Sequence, residues 1–390
     1  MHKLCTLLGM PQHRFASIHV VGTNGKSSVT RMTAALLEAH GVRAGACVSP
    51  HPSRWSERVL IDSAEIGDAE FAAAVERTAE AAATVERTLE EGEAVTQFEV
   101  ATAAAFVAFA AARVKVGVIE AGLGGRLDAT NTIPSRVTVL TSVGLDHTEW
   151  LGETELEIAA EKLAVLRDTS TLVLGRVSPE VRALAERTAA ERGAELLNAP
   201  EDPGEHLRLG APGAFQRRNF ALATTAAEAF LGGLDRDLVA GAAAALTVPG
   251  RLERMPGEPP AFIDAAHNPD GARALAEALP EISASGDVVA CLAILGDKDA
   301  AGIVAALAGV VDRFVCTEIP AARLGTTARV SHPAEDLARI CEAAGVPAEA
   351  VPDFGAAVSR ARELAAGPPP GTLLVTGSHY VLGPARAALS

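Results

Sequence analysis

The sequence is poor in cysteine, and the few cysteines present are widely spaced. There are five among 390 residues, and no two of them form a C-x-x-C pair. An odd number of scattered cysteines suits neither a disulfide framework nor a cysteine-rich zinc site. We therefore expect reduced thiols that are mostly buried and inert.

Long apolar runs are also missing. The longest candidate, residues 100–112, covers about thirteen residues, whereas a membrane-spanning helix needs about twenty. The N-terminus lacks a basic region followed by an apolar core and a cleavage site, so we expect a cytoplasmic protein without a signal peptide. The formal net charge of −15 argues against a nucleic-acid surface. We expect a monomer whose partners are small molecules, with neither nucleic acid nor membrane among them.

Lysine is scarce, because arginine occupies most of the positively charged positions. An arginine side chain stays protonated, whereas an amine can lose its proton and react. A lysine in the interior of such a chain therefore indicates chemistry. The lysines are Lys3, Lys26, Lys115, Lys162 and Lys298.

Apolar runs bounded by turns alternate with helical patterns along the chain, which predicts an α/β fold with a mostly parallel sheet. We predict strands over 16–21, 44–48, 115–119 and 137–143, and helices over 27–40, 68–90, 97–113 and 153–166. Asp68 is a plausible N-cap. Residues 52–67 are expected to be irregular and 198–213 to be a connector. The break at 248–251 predicts two domains, residues 1–248 and a smaller Rossmann-like α/β domain over 249–390. The second domain has no G-x-G-x-x-G after its first strand, so a dinucleotide cofactor is not expected.

A glycine-rich stretch, Gly-Thr-Asn-Gly-Lys-Ser-Ser at residues 22–28, lies between a predicted strand and a predicted helix. Such a loop directs backbone N–H groups toward a phosphate at a helix N-terminus. Lys26 would neutralise phosphate oxygens, and the adjacent hydroxyls could bind Mg²⁺. The spacing departs from G-x-x-x-x-G-K-[ST], and glycine turns before helices also occur in domains that bind nothing.

Polar residues follow three further predicted strands: Ser49, Glu120, and Asp146 with His147. Ligands of open α/β sheets bind outside the carboxyl ends of the strands, so these residues are expected to line one crevice with the phosphate loop. Oxygen groups such as those of Ser49 and Glu120 suit Mg²⁺. Residues 264–269 form a similar cluster in the second domain, where Asn268 is expected to cap a helix that begins at Pro269.

The sequence resembles the Mur ligase superfamily, and within it the folylpolyglutamate synthase/dihydrofolate synthases. The most specific match is Gly-Gly-Arg-Leu-Asp-Ala-Thr-Asn at 124–131. The matches follow the family order over nearly the whole chain. They are residues 22–28, 49–51, 57–59, 98–99, 120–131, 145–152, 161–162, 249–251, 264–269, 297–299 and 375–378.

The resemblance implies a P-loop ATP-binding domain of the Mur ligase type followed by a C-terminal glutamate-ligase domain. It implies an ATP-dependent ligase that activates a carboxylate as an acyl phosphate, which the amine of an amino acid then attacks. The expected reaction adds L-glutamate to dihydropteroate, to reduced folates or to both. Two alternatives stay open, namely a Mur-type ligase with a different carboxylate acceptor and a nucleotide-binding regulator without turnover.

The resemblance also implies roles for particular residues, with Lys26, His147 and Lys162 as catalytic groups. Lys162 matches a lysine that reacts with CO₂ to form a carbamate able to support a metal ion. Two Mg²⁺ ions would be bound by Ser49, Glu120 and His147. The expected acceptor-contacting residues are Thr96, Gln97, Phe98, Glu99, Leu127, Asp128 and Ala129. The expected ATP-binding residues are Gly22, Thr23, Asn24, Gly25, Lys26, Ser27, Ser28, Asn219, Arg251, Asp264 and His267.

The sequence departs from the family pattern at Ser27, where a glycine is common, and its connector before Phe215 is short. Loops carry specificity, so the ligase chemistry follows from the resemblance more directly than the acceptor does. For Lys162 taken alone, the plainer interpretation is a surface lysine that pairs with Glu161.

Overall fold

The computed structural model describes residues 1–320 and 330–390. The chain divides into two compact units. Unit 1 consists of residues 1–209 and 217–246, and unit 2 consists of residues 210–216 and 247–390.

Unit 1 contains an eight-stranded sheet in the order β4-β3-β2-β5-β1-β6-β7-β8. All neighbouring strands are parallel except β2–β3 and β3–β4, which are antiparallel. The central strands are short apolar runs buried on both faces, as parallel sheets require. The strands are β1 Ala16–Val21, β2 Ala44–Cys47, β3 Val59–Ile61, β4 Ala64–Glu65, β5 Val116–Glu120, β6 Ser135–Leu140, β7 Thr171–Leu174 and β8 Glu195–Asn198.

Helices cover this sheet, and their apolar sides form its core. One cluster includes Phe15, Phe106 and Phe109, and another includes Val21, Leu140 and Leu163. The helices are α1 His2–Leu7, α2 Lys26–Ala39, α3 Asp68–Glu86, α4 Gln97–Ala111, α5 Thr148–Leu151, α6 Glu155–Leu163, α7 Pro179–Glu191, α8 Ala214–Leu231 and α9 Arg236–Ala245.

Unit 2 contains a six-stranded sheet in the order β13-β12-β11-β14-β10-β9, with only β9 antiparallel to its neighbour. Its strands are β9 Glu253–Met255, β10 Ala261–Ile263, β11 Val288–Leu292, β12 Arg313–Cys316, β13 Ala348–Ala350 and β14 Thr372–Thr376. Its helices are α10 Pro269–Ile282, α11 Ala300–Leu307, α12 Ala334–Ala343, α13 Phe354–Ala365 and α14 Leu382–Leu389.

The predicted α/β class and mostly parallel sheets are confirmed. All five cysteines are buried and free, as predicted. Asn268 caps α10 by accepting a hydrogen bond from the Gly271 amide at 2.8 Å. In the described parts of the chain, no helix is both long and apolar enough to cross a bilayer.

Three local predictions were wrong. Gly67, not Asp68, is the N-cap of α3, and Asp68 is the first helical residue, where a carboxylate still favours the helix dipole. Residues 52–67 are not irregular throughout, because β3 and β4 pair there as a hairpin that extends the sheet. The strand–helix–strand segment formed by β7, α7 and β8 was not predicted at all.

Candidate active site

The glycine loop connects β1 to α2 at the centre of the sheet, as predicted. Gly25 has φ +85°, and a Cβ there would lie 2.6 Å from Asn219 Oδ1. A Cβ on Gly22 would lie 1.9 Å from Thr141 Oγ1. At both positions a side chain would collide with a neighbouring residue, so glycine is needed. Asn219 of α8 lies directly against the loop.

Residues just after β6 hold this loop in place. The Thr141 and Ser142 hydroxyls donate to the Asn24 carbonyl at 2.6 Å and 3.1 Å, and the Asn24 amide donates to Ser142 Oγ at 3.0 Å. Thr23 Oγ1 accepts from the Gly144 amide at 3.1 Å. β6 ends at Leu140, before the predicted end at residue 143, and Thr141 and Ser142 lie in the segment that follows it. Sequence reasoning missed Thr141 and Ser142, although their position at a strand end beside the predicted loop could have indicated them.

Two lysine amines converge on one loop carbonyl. Lys26 Nζ lies 3.1 Å from the Gly22 oxygen and Lys162 Nζ lies 2.9 Å from it, and Lys26 also donates to the Thr23 carbonyl at 3.1 Å. Lys162 is only 4% exposed. The interpretation of Lys162 as a surface lysine paired with Glu161 is therefore wrong.

Burial, followed by the nearby charge of Lys26, lowers the pKa of Lys162 from 10.5 to about 7. Asp146 and Asp128 oppose this change because their carboxylates favour the ammonium. With a pKa of about 7, about half of the Lys162 amine is neutral at pH 7, against roughly 3 in 10,000 for an ordinary lysine. A neutral amine is a nucleophile, whereas an ammonium is not.

Glu120 ends β5, is buried, and links the phosphate loop to the residue after β2. Its Oε1 accepts from the Ser27 hydroxyl at 2.9 Å, and its Oε2 accepts from the Ser49 amide at 2.9 Å. The Ser27 hydroxyl also lies 3.3 Å from the Ser49 carbonyl oxygen. The predicted convergence of separate strand ends is thus present for Ser27, Ser49 and Glu120.

His147 follows the loop that holds Thr23 and Asn24. Its backbone is left-handed, with φ +52° at the start of α5, and its amide donates to Asp146 Oδ1 at 3.0 Å. His147 Nε2 lies 3.9 Å from the same carboxylate oxygen, and its side chain is 37% exposed. Among the described residues, no group of three or more His, Cys, Asp or Glu side chains is arranged to hold a metal ion.

The helix that carries Lys162 is fixed to the glycine-rich segment 122–128. The Arg126 amide donates to the Glu161 carbonyl at 3.1 Å, and the Arg126 guanidinium pairs with the Glu161 carboxylate at 2.7 Å. A Cβ on Gly125 would lie 2.6 Å from the Glu161 carbonyl oxygen. This packing places α6 with Lys162 directed into the loop.

Phe98, one of the residues expected to contact the acceptor, lies against the start of segment 122–128. A Cβ on Gly122 would lie 2.4 Å from the Phe98 ring. Thr96 and Glu99 form a capping box at the start of α4, and Glu99 also pairs with the Met1 ammonium at 2.5 Å. Glu99 is therefore occupied in holding α4, and Gln97 precedes Phe98 in its first turn.

Segment 122–128 ends in a half-buried carboxylate beside an exposed apolar side chain. Asp128 Oδ2 accepts from the Leu123 amide at 2.8 Å, and Oδ1 accepts from the Thr130 amide at 2.9 Å. Burial raises the pKa of Asp128, while these hydrogen bonds act in the opposite direction. Leu127 is 87% exposed, and Ala129 is buried.

The remaining predicted nucleotide-binding residues form a cluster in unit 2. Asp264 is buried and accepts from the Leu252 and Ala266 amides, both at 2.8 Å. Burial raises the pKa of Asp264, and the Arg251 charge acts in the opposite direction. The His267 Nδ1 lies 2.9 Å from the Ala265 carbonyl oxygen, so its Nε2 faces away from that bond.

Comparisons with known proteins agree with this arrangement. Residues 250–379 match the family described as Mur ligase, glutamate ligase domain. The dihydrofolate synthase/folylpolyglutamate synthase of Mycobacterium tuberculosis is 39% identical over 80% of this chain and 72% of its own length.

Solved structures give the same result over the whole chain. The M. tuberculosis folylpolyglutamate synthase complexed with ADP superposes with a TM-score of 0.91 at 36% identity, covering 100% of this chain and 93% of the other. A bifunctional folylpolyglutamate synthase/dihydrofolate synthase with Mn, AMPPNP and L-glutamate bound has a TM-score of 0.83 at 28% identity, covering 100% and 93%.

Proposed function

The chain belongs to the folylpolyglutamate synthase/dihydrofolate synthase family, and from this we infer that it is an ATP-dependent ligase that adds L-glutamate to dihydropteroate, to reduced folates or to both. One observation supports the chemistry above all others. A buried Lys162 amine and the Lys26 amine contact the same carbonyl oxygen of the glycine loop, and Ser27 of that loop donates to a buried carboxylate, Glu120.

We propose that the phosphate loop, residues 22–28, binds the ATP phosphates. Its backbone amides lie at the N-terminus of α2, where the helix dipole favours an anion. The Lys26 ammonium now donates to two loop carbonyls and can instead neutralise phosphate oxygens. Asn219 against Gly25, and Arg251, Asp264 and His267 in unit 2, are proposed to bind the rest of the nucleotide.

Ser49, Glu120 and His147 are proposed to bind divalent metal, in the form of two Mg²⁺ ions. The donor set fits, because Glu120 supplies a buried carboxylate at a strand end and each carboxylate oxygen can accept more than one contact. A carboxylate and a hydroxyl are ligands that Mg²⁺ accepts while retaining waters and substrate oxygens. When bound, the metal supplies positive charge against the triphosphate.

Lys162 is proposed to react with CO₂ and become a carbamate. The neutral amine nitrogen forms a bond to the carbon of CO₂, the electron pair of one C=O bond moves to its oxygen, and a proton leaves the nitrogen. The lowered pKa of Lys162, about 7, supplies the neutral amine that this step needs. The product is a carboxylate beside the Lys26 ammonium.

The acceptor is proposed to lie along Thr96–Glu99 and Leu127–Ala129. Its carboxylate attacks the γ-phosphorus of ATP, an acyl phosphate forms and ADP leaves. The glutamate amine then attacks the acyl carbon, the amide bond forms, the C–O bond to phosphate breaks, and the amine loses a proton. The protein contributes mainly position and charge neutralisation to such a transfer.

The roles of the two domains stay a proposal. We propose that residues 1–248 form the ATP-binding domain and that residues 249–390 form the C-terminal ligase domain. The monomeric state and a cytoplasmic location stay predictions from composition.

A phosphate-release assay tests the proposed function. Purified protein with ATP, Mg²⁺ and L-glutamate is supplied with dihydropteroate or with tetrahydrofolate. Release of ADP and phosphate that depends on one of these acceptors and on glutamate is expected, with the glutamylated product detected by mass. Lys162→Ala should nearly abolish this turnover while the fold is retained. Release that is the same without an acceptor, or absent with both, would reject the proposal.

A further inference from the structure

A buried histidine in β1 begins a chain of hydrogen bonds that ends at Asp128. This residue closes segment 123–128, which carries the proposed acceptor contacts Leu127 and Asp128 and is called the acceptor segment below. His19 is fully buried, and its Nε2 lies 2.8 Å from Thr130 Oγ1. Thr130 Oγ1 in turn lies 2.5 Å from Asp128 Oδ1. His19 is separated by 111 positions in the sequence from Thr130, which is only two positions from Asp128.

The direction of these hydrogen bonds follows from the donors available. Each Asp128 oxygen accepts a backbone amide, one from Leu123 and one from Thr130, so the carboxyl group acts as the acceptor and the single Thr130 hydroxyl hydrogen is donated to it. The Thr130 oxygen can then only accept from His19, which must carry its proton on Nε2. Burial, and secondarily the Arg167 charge, lowers the pKa of His19 to about 3, so the ring is neutral. Its Nδ1 is then an unprotonated acceptor.

That Nδ1 has no hydrogen-bond partner among the described residues and is completely enclosed. An unsatisfied buried acceptor destabilises the folded protein, and an apolar residue would fill a buried position in β1 without that loss. The presence of a histidine at this buried position is therefore explained by the hydrogen bond that its Nε2 donates to Thr130.

The carboxylate at the end of this chain sets the shape of the acceptor segment. Asp128 bonds the Leu123 amide with one oxygen and Thr130 with the other. It thereby closes residues 123–128 into a compact turn, from which Leu127 projects into solvent. A carboxylate free to rotate would release the Leu123 amide and with it the start of the turn.

We propose that His19 is a positioning residue for the acceptor. Through the Thr130 hydroxyl it fixes the Asp128 carboxylate, and so holds segment 123–128 in the conformation that receives the carboxylate substrate. This inference rests on the proposed function for the identity of the acceptor. β1 therefore serves both substrates, because it leads into the phosphate loop at its end and supports the acceptor segment from within.

Thr130→Val and Thr130→Ser form the first test. Valine has nearly the shape of threonine but neither donates nor accepts, whereas serine keeps the hydroxyl. Thr138→Val is the matched control, because Thr138 is buried beside His19 in the β1–β6 pairing and its hydroxyl has no partner among the described residues. The readout is backbone amide exchange at Leu123, measured by mass spectrometry with residue-level fragmentation.

We expect exchange at Leu123 to be about tenfold faster in Thr130→Val than in the unmodified protein, since the carboxylate that accepts this amide loses the Thr130 hydroxyl and is held less firmly. Thr130→Ser and Thr138→Val should leave it unchanged. This measurement needs no acceptor, so it decides the positioning role even if the proposed substrates prove wrong. Equal exchange in Thr130→Val and in the unmodified protein would overturn the inference.

Steady-state kinetics with the active pterin acceptor form the second test. Loss of one buried hydrogen bond in Thr130→Val should raise the acceptor KM about tenfold, with the KM for ATP unchanged. His19→Leu should act in the same direction, and His19→Gln, whose amide can donate to Thr130, should restore most of the loss. Parallel increases in both KM values, or the same increase in Thr138→Val, would show a general packing effect and contradict a positioning role.

Discussion

Replacing Lys162 with methionine should stabilise unit 1, and the size of the effect should depend on pH. Methionine has a similar length but no charge, so it removes the desolvation penalty of a buried ammonium. Lys26 still donates to the Gly22 carbonyl in the variant, so that oxygen keeps a partner. The free energy of unfolding of the variant should exceed that of the unmodified protein at and below neutral pH.

The sign follows from the two pKa values. The folded-state pKa of Lys162 is about 7 and the unfolded value is 10.5. Below pH 7 both states carry the proton, and the folded state bears the full desolvation penalty. Between these values only the unfolded state keeps the proton, so the free energy of unfolding rises with pH. Above pH 10.5 the penalty is gone.

The interval between the two pKa values corresponds to about 5 kcal/mol at 1.36 kcal/mol per pH unit. From pH 6.5 to 9.5, the advantage of Lys162→Met should therefore shrink by about 3 kcal/mol. Every other group titrates in both proteins, so its contribution cancels in the difference between their free energies of unfolding. An advantage that is constant over this range would refute a perturbed Lys162.

The assay is guanidinium chloride unfolding followed by tryptophan fluorescence, in buffers freed of CO₂. Both tryptophans, Trp55 and Trp150, lie in unit 1, so their emission reports the unit that contains Lys162. Adding bicarbonate at pH 7.5 should stabilise the unmodified protein but not Lys162→Met. CO₂ binds a neutral amine, and at this pH the Lys162 amine is largely neutral only in the folded state, so CO₂ stabilises that state. Equal stabilisation of both proteins would contradict carbamate formation.

Further substitutions test the loop and the metal ligand. Gly25→Ala should lower the denaturant midpoint of unit 1 unfolding and the affinity for ATP more than Gly41→Ala does. Both glycines have positive φ, but only a Cβ on Gly25 would meet Asn219. Equal effects of the two substitutions would contradict a role for that contact. Glu120→Gln should raise the Mg²⁺ concentration needed for half-maximal turnover by about tenfold or more, since a neutral amide binds the cation weakly; an unchanged Mg²⁺ titration would remove Glu120 from the metal site.

Patterns in the sequence predicted the parts of the site that depend on strand ends. The phosphate loop, Ser49 and Glu120 each follow a short apolar run, and parallel strands bring their carboxyl ends to the same edge. In the structure, Ser27 and Ser49 both donate hydrogen bonds to Glu120. The direct contact also needs β2 to lie beside β5 in the sheet, and that strand order was not predicted from the sequence.

Other features could not be predicted because they depend on which side chains meet across the fold. The hydroxyls of Thr141 and Ser142 reach Asn24 from more than 110 positions away, and their position at a strand end does not show which backbone group they contact. Asp68 failed as an N-cap for a related reason. Asp and Gly are both accepted at the N-cap position, so the residue types alone do not decide between Gly67 and Asp68.

The charge of a lysine is the clearest case in which the fold decides the chemistry. Lys26 and Lys162 are the same residue type and donate to the same Gly22 oxygen. Two ammonium groups at one carbonyl repel each other, so one of them gains by losing its proton. Lys162 is the one stripped of water, whereas Lys26 remains partly exposed at the start of α2. This difference in burial supports the proposal that Lys26 is the cation for phosphate and Lys162 the amine for CO₂, a division that neither residue's neighbours in the sequence specify.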